Sequence, residues 1–420
     1  MKKRNLIVRN ASEVVTVSGF KAKKGSEMNE LNIMKEASVV VENGKIVEVL
    51  KTKDLESKYD LNDYQIIDAE GKSVCPGFVD SHTHFVFAGD RSEEYIWRLK
   101  GDSYMSIMER GGGIANSVTQ TREATKEELI QLGKKRLDSM MRFGVTTVEG
   151  KSGYGLDFYT EIKQLEVMRT LQNLHALDIV PTYLGAHAVP VEYKDRVEEY
   201  IDYMLDEVMP YVAKENLAEF CDVFCEKNVF SVEQSKRILE KGIELGLKPK
   251  LHADEIVCLN GAGLAADVGA ISADHLLQAS DEGLDKMREK DVVATILPIT
   301  AFTLKESYAR ARYIMDNGGA VALATDMNPG SCYSESIPLM FGLATLQMNM
   351  TIKETLTALT LNGAAAIGKA DQIGSIDPGK KADMIILDAP SYKHLAYHVG
   401  VSSVERVIKE GELIFDIREA

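Results

Sequence analysis

The sequence predicts an α/β protein: a parallel (β/α)8 TIM barrel carrying a small β-sandwich built from the two chain ends. Three observations predict it. Short apolar, β-branched runs recur eight times along the middle of the chain, amphipathic helical stretches separate them, and hairpin-like strand pairs lie near both termini. No sequence repeat of fixed period underlies this rhythm.

Taken in order, VVVENGKIVEVL (39–50) reads as strand, Asn-Gly turn, strand. The candidate barrel strands then follow at 74–80, 144–150, 178–185, 220–225, 248–253, 270–275, 292–297 and 320–325. Between them, 125–144 and 231–246 each show an acidic first turn, i/i+3/i+4 apolar spacing and a closing glycine. Near the C-terminus, 381–388 and 404–416 read as strands with a Glu-Gly turn. Neither end is long enough to bury a core alone. We therefore expect 1–73 to pair with 376–420 as one composite β-sandwich beside a catalytic barrel of 74–375.

Composition narrows the function. A chain of 420 residues, 45% of them hydrophobic, suits one large barrel with a satellite. A net charge of −15 argues against nucleic acid or an anionic membrane as partner. It also demands local positive charge if the substrate is an anion. No apolar run approaches the roughly 18 residues of a membrane span, and MKKRNLIVRN lacks the apolar core of a signal peptide, so a cytoplasmic protein is expected. The five cysteines are odd in number, and no second pair follows Cys221 and Cys225. They read as buried small hydrophobes in a reducing compartment rather than a zinc ribbon. Trp97 and the methionines read as core or interface. The Gly111–Gly113 run lacks a following Lys-Ser/Thr and reads as a flexible active-site loop, not a phosphate cradle.

In such a barrel, chemistry sits at the C-terminal ends of the strands. His82 and His84 follow the first run, Tyr154 the second, His187 the third, Glu226 and Lys227 the fourth. His252 ends the fifth, with Asp254 and Glu255 after it; Asp274 and His275 end the sixth; Asp326 follows the eighth, before Asn328, Gly330 and Ser331. One histidine so placed is readily a structural residue. Five of the chain's eight histidines in such places are not scattered structural residues. His82 and His84, at i and i+2, share a face about 7 Å apart along the strand. His252 and Asp326 can complete a metal site from other strands. Imidazole and carboxylate suit Zn2+ or Fe, and no thiolate is offered there.

VDSHTH, the lone histidines after the fifth and sixth strands, ATDMNPGS after the eighth and PGKKADMIILD near the end together resemble the amidohydrolase superfamily. HTHFVFAGDRSEE, GGGI, GKSGYGL, GAHAVP, LHADE and SADHL narrow the likeness to the branch that opens an imidazolone ring. It covers nearly the whole chain; HxH alone is unspecific, whereas the ordered series is specific. The resemblance implies hydrolysis of the C–N bond of a cyclic amide. It implies one zinc or iron ion per subunit on His82, His84, His252 and Asp326. It implies substrate contacts at Arg91, Tyr154, His187, Glu255, Asn328, Gly330 and Ser331, a small substrate bearing a propionate, and a homodimer. The neighbours Cys332 and Tyr333 are where the pocket edge is expected to depart from the family pattern.

Within that reading, Glu255, three residues past a ligand, is the candidate general base and then acid. His275 is placed to stabilise charge developing on the substrate, and Asp326 to share the water proton. Arg91 suits a carboxylate, against a plain salt bridge with Glu93 or Glu94. Tyr154 is weighed against a packed loop aromatic, and Asn328, Gly330 and Ser331 against a plain turn. Three alternatives stay open: a deaminase of an aromatic base on the same ligands, a two-metal site bridged by a carboxylated Lys227, and a scaffold without activity.

Overall fold

Two eight-stranded sheets share the chain and part at Gly77. The computed structural model describes residues 5–102, 110 and 112–419; Lys2, Lys3, Arg4 and Gly111 of the stretches read above lie outside them. From the N-terminus come β1 (Leu6–Val15), β2 (Ile33–Glu42), β3 (Lys45–Lys51), β4 (Gln65–Asp68) and β5 (Ser73–Pro76). The barrel strands follow: β6 (Phe78–Asp80), β7 (Val145–Lys151), β8 (Asp178–Ala186), β9 (Phe220–Cys225), β10 (Lys248–Ala253), β11 (Ser272–His275), β12 (Val293–Ile296) and β13 (Val321–Leu323). The chain returns through β14 (Met384–Leu387), β15 (Val404–Lys409) and β16 (Glu412–Asp416).

Strands β6 to β13 pair in sequence order, all parallel. Such a sheet is buried on both faces, which is why these strands read as apolar runs rather than alternating ones. The ends of this sheet meet just beyond β6 and β13, where Thr83 bridges Met327 in parallel. The Asp326 N–H donates to His82 O and the His84 N–H to Met327 O, both at 2.9 Å. The second sheet runs β16-β15-β14-β5-β1-β2-β3, with β4 on β1, so both chain ends build it as expected.

Local chemistry accounts for the elements. Thr125 and Ser231 cap the helices Lys126–Arg142 and Val232–Glu244, and each forms a reciprocal capping box, with Glu128 and Gln234 respectively. Asn43 (φ 51°) with Gly44 (φ 78°), and Glu410 (φ 46°) with Gly411 (φ 75°), supply the paired left-handed conformations of two-residue hairpins. Leu6, Val8, Val39, Val41, Met384 and Ile386 pack as the core of the terminal sheet. All five cysteines are free, and Cys221 and Cys225 are buried. Among the described residues no helix is long and apolar enough to cross a membrane.

One expectation needs correction. The run 74–80, read as a single strand, is two: β5 pairs with β1 and β14, while β6 pairs with β7. The apolar period is the same on both sides, so only the turn distinguishes them. Gly77 makes that turn against the barrel; a Cβ there would lie 2.3 Å from Thr146 Cγ2.

Ion pairs tie the two sheets together at the start of β8. Asp178 Oδ2 accepts from Lys409 Nζ at 2.7 Å and Lys381 Nζ at 2.9 Å, and Lys409 also reaches Asp383 at 2.7 Å. Burial pushes the Asp178 carboxyl up, but Lys409 and Lys381 outweigh it and hold it below the ordinary range. We predict that Lys409→Met lowers unfolding free energy by about 3 kcal/mol in urea titrations, since it strands buried Asp383 and leaves Asp178 with Lys381 alone. The advantage of the wild type over Asp178→Asn is expected in full above the ordinary aspartate value of about 4. It should be lost as pH falls through the depressed folded value.

Candidate metal centre

The described structure brings the five strand-end histidines and Asp326 into one buried cluster. Ring centroids lie 5.3 Å apart for His82–His84, 4.6 Å for His82–His252, 5.5 Å for His82–His275, 5.2 Å for His252–His275 and 5.0 Å for His84–His187. Three overlapping triads have donor atoms within 4.8 Å of one another: His82–His84–Asp326, His82–His252–His275 and His84–His187–His252. Backbone strain marks the same place. Asp254 (φ 51°), His275 (φ 75°) and Asp326 (φ 53°) adopt left-handed conformations at or just past strand ends, where such strain is held by surrounding structure.

The donor set fits a divalent cation. Asp326 Oδ1 lies 3.5 Å from His82 Nε2 and 3.6 Å from His84 Nε2. Ligands 2.0–2.1 Å from a tetrahedral ion stand about 3.4 Å apart. His82 Nε2, His84 Nδ1, both ring nitrogens of His252 and His275 Nδ1 are buried with no hydrogen-bond partner among the described residues, a costly state without a ligand. Burial first, then neighbouring cations and imidazoles, hold His82, His84 and His252 well below the ordinary histidine value. They are neutral at physiological pH, the form that binds metal. Burial likewise pushes Asp326 up to about 7, and Thr300 Oγ1 donates to its Oδ2 at 2.7 Å.

Around this centre, Glu255 Oε1 lies 3.6 Å from His275 Nδ1. Burial, then the charges of Asp326, Glu226 and Glu306, raise the Glu255 carboxyl to about 8. Glu226 Oε2 accepts the N–H groups of Ile256 (2.8 Å) and Val257 (3.2 Å), which anchors the Glu255 loop. His187 stacks on His84 and its Nδ1 is 3.0 Å from Gly153 O; burial lowers it to about 4. Tyr154 is buried, its ring 5.8 Å from His84 and 5.3 Å from His187.

The ion pair weighed for Arg91 is present, 2.8 Å from Nε to Glu94 Oε2. Its partner is buried and is itself held by Gly113 N–H and Asn116 Nδ2, so the pair orients the guanidinium. The far side of Arg91 lies against Gly330, where a Cβ would sit 2.1 Å from Nη1. Glycine there makes room for the arginine. Asn328 uses its amide inside its own turn: Nδ2 donates to Asp326 O (2.7 Å), and Oδ1 accepts from the N–H groups of Gly330 and Ser331 (2.8 Å each). Lys227 is exposed and takes no part in the cluster.

Several residues escaped the sequence reading. Thr300 on Asp326, Arg136, Glu161 and the buried charges Glu149, Lys151, Asp222 and Lys250 were not singled out. For Glu149, Lys151, Asp222 and Lys250 the available signal was charge inside apolar strands, because charged residues are rarely buried without partners. Arg136 donates to Phe85 O and Phe87 O, both at 2.8 Å, below the His82–His84 segment. Glu161 accepts the N–H groups of Gly155 (2.8 Å), Leu156 (2.9 Å) and Gly153 (3.1 Å), fixing the loop that carries Tyr154. Replacing Glu161 with Ala is expected to cost about 3 kcal/mol through stranded buried donors. Amide exchange of residues 153–156 should speed up, as mass spectrometry would show.

Comparison with known proteins agrees with this picture. The amidohydrolase family model matches residues 73–414. An imidazolonepropionase from Clostridium tetani is 61% identical over 415 residues, 99% of each chain. One from Parabacteroides distasonis is 54% identical over 98% of this chain and 99% of its own. Among solved structures, an adenosine deaminase from Xanthomonas campestris with bound zinc superposes with a TM-score of 0.68 at 20% identity, covering 99% of this chain and 94% of that one. A mutant atrazine chlorohydrolase from Arthrobacter aurescens, complexed with zinc and atraton, gives 0.73 at 15% identity over 98% and 95%. At these identities the two structures speak to the fold.

Proposed function

The chain belongs to the amidohydrolase family, and from that membership we propose that it hydrolyses 4-imidazolone-5-propanoate to N-formimidoyl-L-glutamate. One observation carries the substrate assignment: the full-length identity with relatives named imidazolonepropionase. The buried cluster of neutral imidazoles around Asp326 supports the hydrolytic chemistry. We assign catalysis to the barrel that begins with β6, within 77–375, with 1–76 and 376–420 as its supporting sheet.

His82, His84, His252 and Asp326 would hold one zinc or iron ion per subunit. When bound, such a cation lowers the pKa of water toward about 7 and polarises a carbonyl. Glu255 takes a proton from the attacking water; the hydroxyl oxygen joins the ring carbonyl carbon, the C–N bond breaks, and Glu255 returns the proton to the departing nitrogen. A carboxyl raised to about 8 by burial and nearby carboxylates exchanges protons near neutral pH. Asp326 shares the water proton, and His275 hydrogen-bonds the carbonyl oxygen as charge develops on it. Arg91, oriented by Glu94, binds the propionate through parallel hydrogen bonds. Tyr154, His187, Asn328, Gly330 and Ser331 border the substrate. This reading takes the enzyme to be a cytoplasmic homodimer, which sedimentation and metal analysis of purified protein address.

The direct test is loss of ring absorbance when purified, metal-analysed protein meets imidazolone propionate. Adenine, guanine and cytosine offered in parallel are expected to stay unchanged; turnover of any of them would favour a deaminase. Glu255→Gln should keep the metal and lower kcat by about 10²–10⁴-fold; near-normal turnover would remove Glu255 from its role. Arg91→Lys should raise KM about tenfold with a smaller effect on kcat, and an unchanged KM would count against the carboxylate clamp.

A further inference from the structure

Beneath the imidazoles lies a layer of charge that the reaction above does not use. Glu149 and Lys151 on β7, Asp222 on β9, Lys250 on β10 and Asp274 on β11 all have fully buried side chains. Lys151 Nζ lies 2.7 Å from Asp222 Oδ2, 2.9 Å from Glu149 Oε1 and 3.6 Å from Asp274 Oδ2. Lys250 Nζ donates to Glu149 Oε2 at 2.7 Å and Ser81 O at 3.1 Å, and lies 3.8 Å from Asp274 Oδ2. Both aspartates then reach the histidines. Asp274 Oδ2 is 2.6 Å from His82 Nδ1, and Asp222 Oδ2 is 3.1 Å from His252 Nδ1. Ser272 Oγ fixes the other oxygen of Asp274 at 2.7 Å, and the N–H groups of Val223 (2.7 Å) and His252 (3.2 Å) fix that of Asp222.

For stability alone this is a poor arrangement. Desolvating buried ion pairs costs several kcal/mol per charge, and well-packed apolar residues do as well or better. Three carboxylates this close also repel one another unless cations lie between them. The contacts run one way, from the ammonium groups through the aspartates to two of the assigned ligands.

We infer that Lys151, with Lys250 beside it, is a positioning residue for the metal centre. It holds Asp274 against His82 Nδ1, so that ring carries its proton there and presents Nε2 to the cation, and it keeps Asp222 3.1 Å from His252 Nδ1. Carboxylates behind ligating histidines typically change metal affinity by about 10–100-fold. This inference rests on His82 and His252 being ligands.

Two measurements test it without reference to turnover. In metal-free protein labelled with 15N-histidine, the chain's eight histidines are few enough to assign by single substitution. His82 should show the Nδ1–H tautomer; an Nε2–H tautomer there would overturn the inference even if no variant folds. Chelator competition should then show Lys151→Met binding zinc about 10–100-fold more weakly than wild type. Lys380→Met is the control. Lys380 is as deeply buried, and its Nζ donates to Gly19 O (2.6 Å) and Ile373 O (3.1 Å) far from the centre. That variant should lose stability and keep wild-type affinity. Equal zinc affinity in Lys151→Met and wild type, or equal weakening in both variants, would sink the proposal. Wild type that takes up no zinc or iron would instead remove the ligand assignment on which it stands.

Discussion

The closure of the barrel between its first and last strands is the constraint on which the rest of the structure depends. That seam is a single parallel bridge, Thr83 to Met327, flanked by two backbone hydrogen bonds. His82 and His84 lie on one side of it and Asp326 on the other. Barrel closure and the His82–His84–Asp326 triad therefore use the same few residues. The left-handed backbone of Asp326 lies next to this junction. The Asp326 N–H bonded to His82 O and the Thr300 hydroxyl on its Oδ2 hold that carboxylate toward two imidazoles. The strain and the ligand geometry come together.

Much of this was legible in the chain because parallel barrels write their chemistry at one place. Strands buried on both faces stand out as apolar runs, and a polar residue at the end of such a run faces the mouth. His82, His84, His187, His252, His275 and Asp326 all sit at such ends. Residues with chemistry inside a strand were harder. Lys151 and Lys250 look like strand-end solvent charges when read singly, and their carboxylate partners come from strands far away in sequence. Gly77 could not be read as a sheet boundary, because the apolar pattern continues through it. Gly330 looked like part of a turn, and its fit to Arg91 joins loops far apart in the chain.

Against an overall charge of −15, the fold places cations close to the histidine cluster. Arg91 is oriented by the buried Glu94. Arg136 is buried against the carbonyls of Phe85 and Phe87, just past His84, its guanidinium 3.5 Å from the centre of the Phe87 ring. Desolvated charge acts over a longer range than charge in water. The same logic explains why the carboxylates closest to the centre are either paired with lysine or, like Glu255, pushed upward.

The division at Gly77 has a consequence for how the molecule is made. Strand β5 pairs with β1, which precedes it in the chain, whereas its other partner, β14, is translated only after the whole barrel. A growing chain thus carries an open strand edge throughout synthesis of the barrel, the kind of edge that invites pairing with other chains. The N-terminal layer stays half-finished until the last strands leave the ribosome. Truncation before β14 would leave the β14-facing edge of β5 unpaired again.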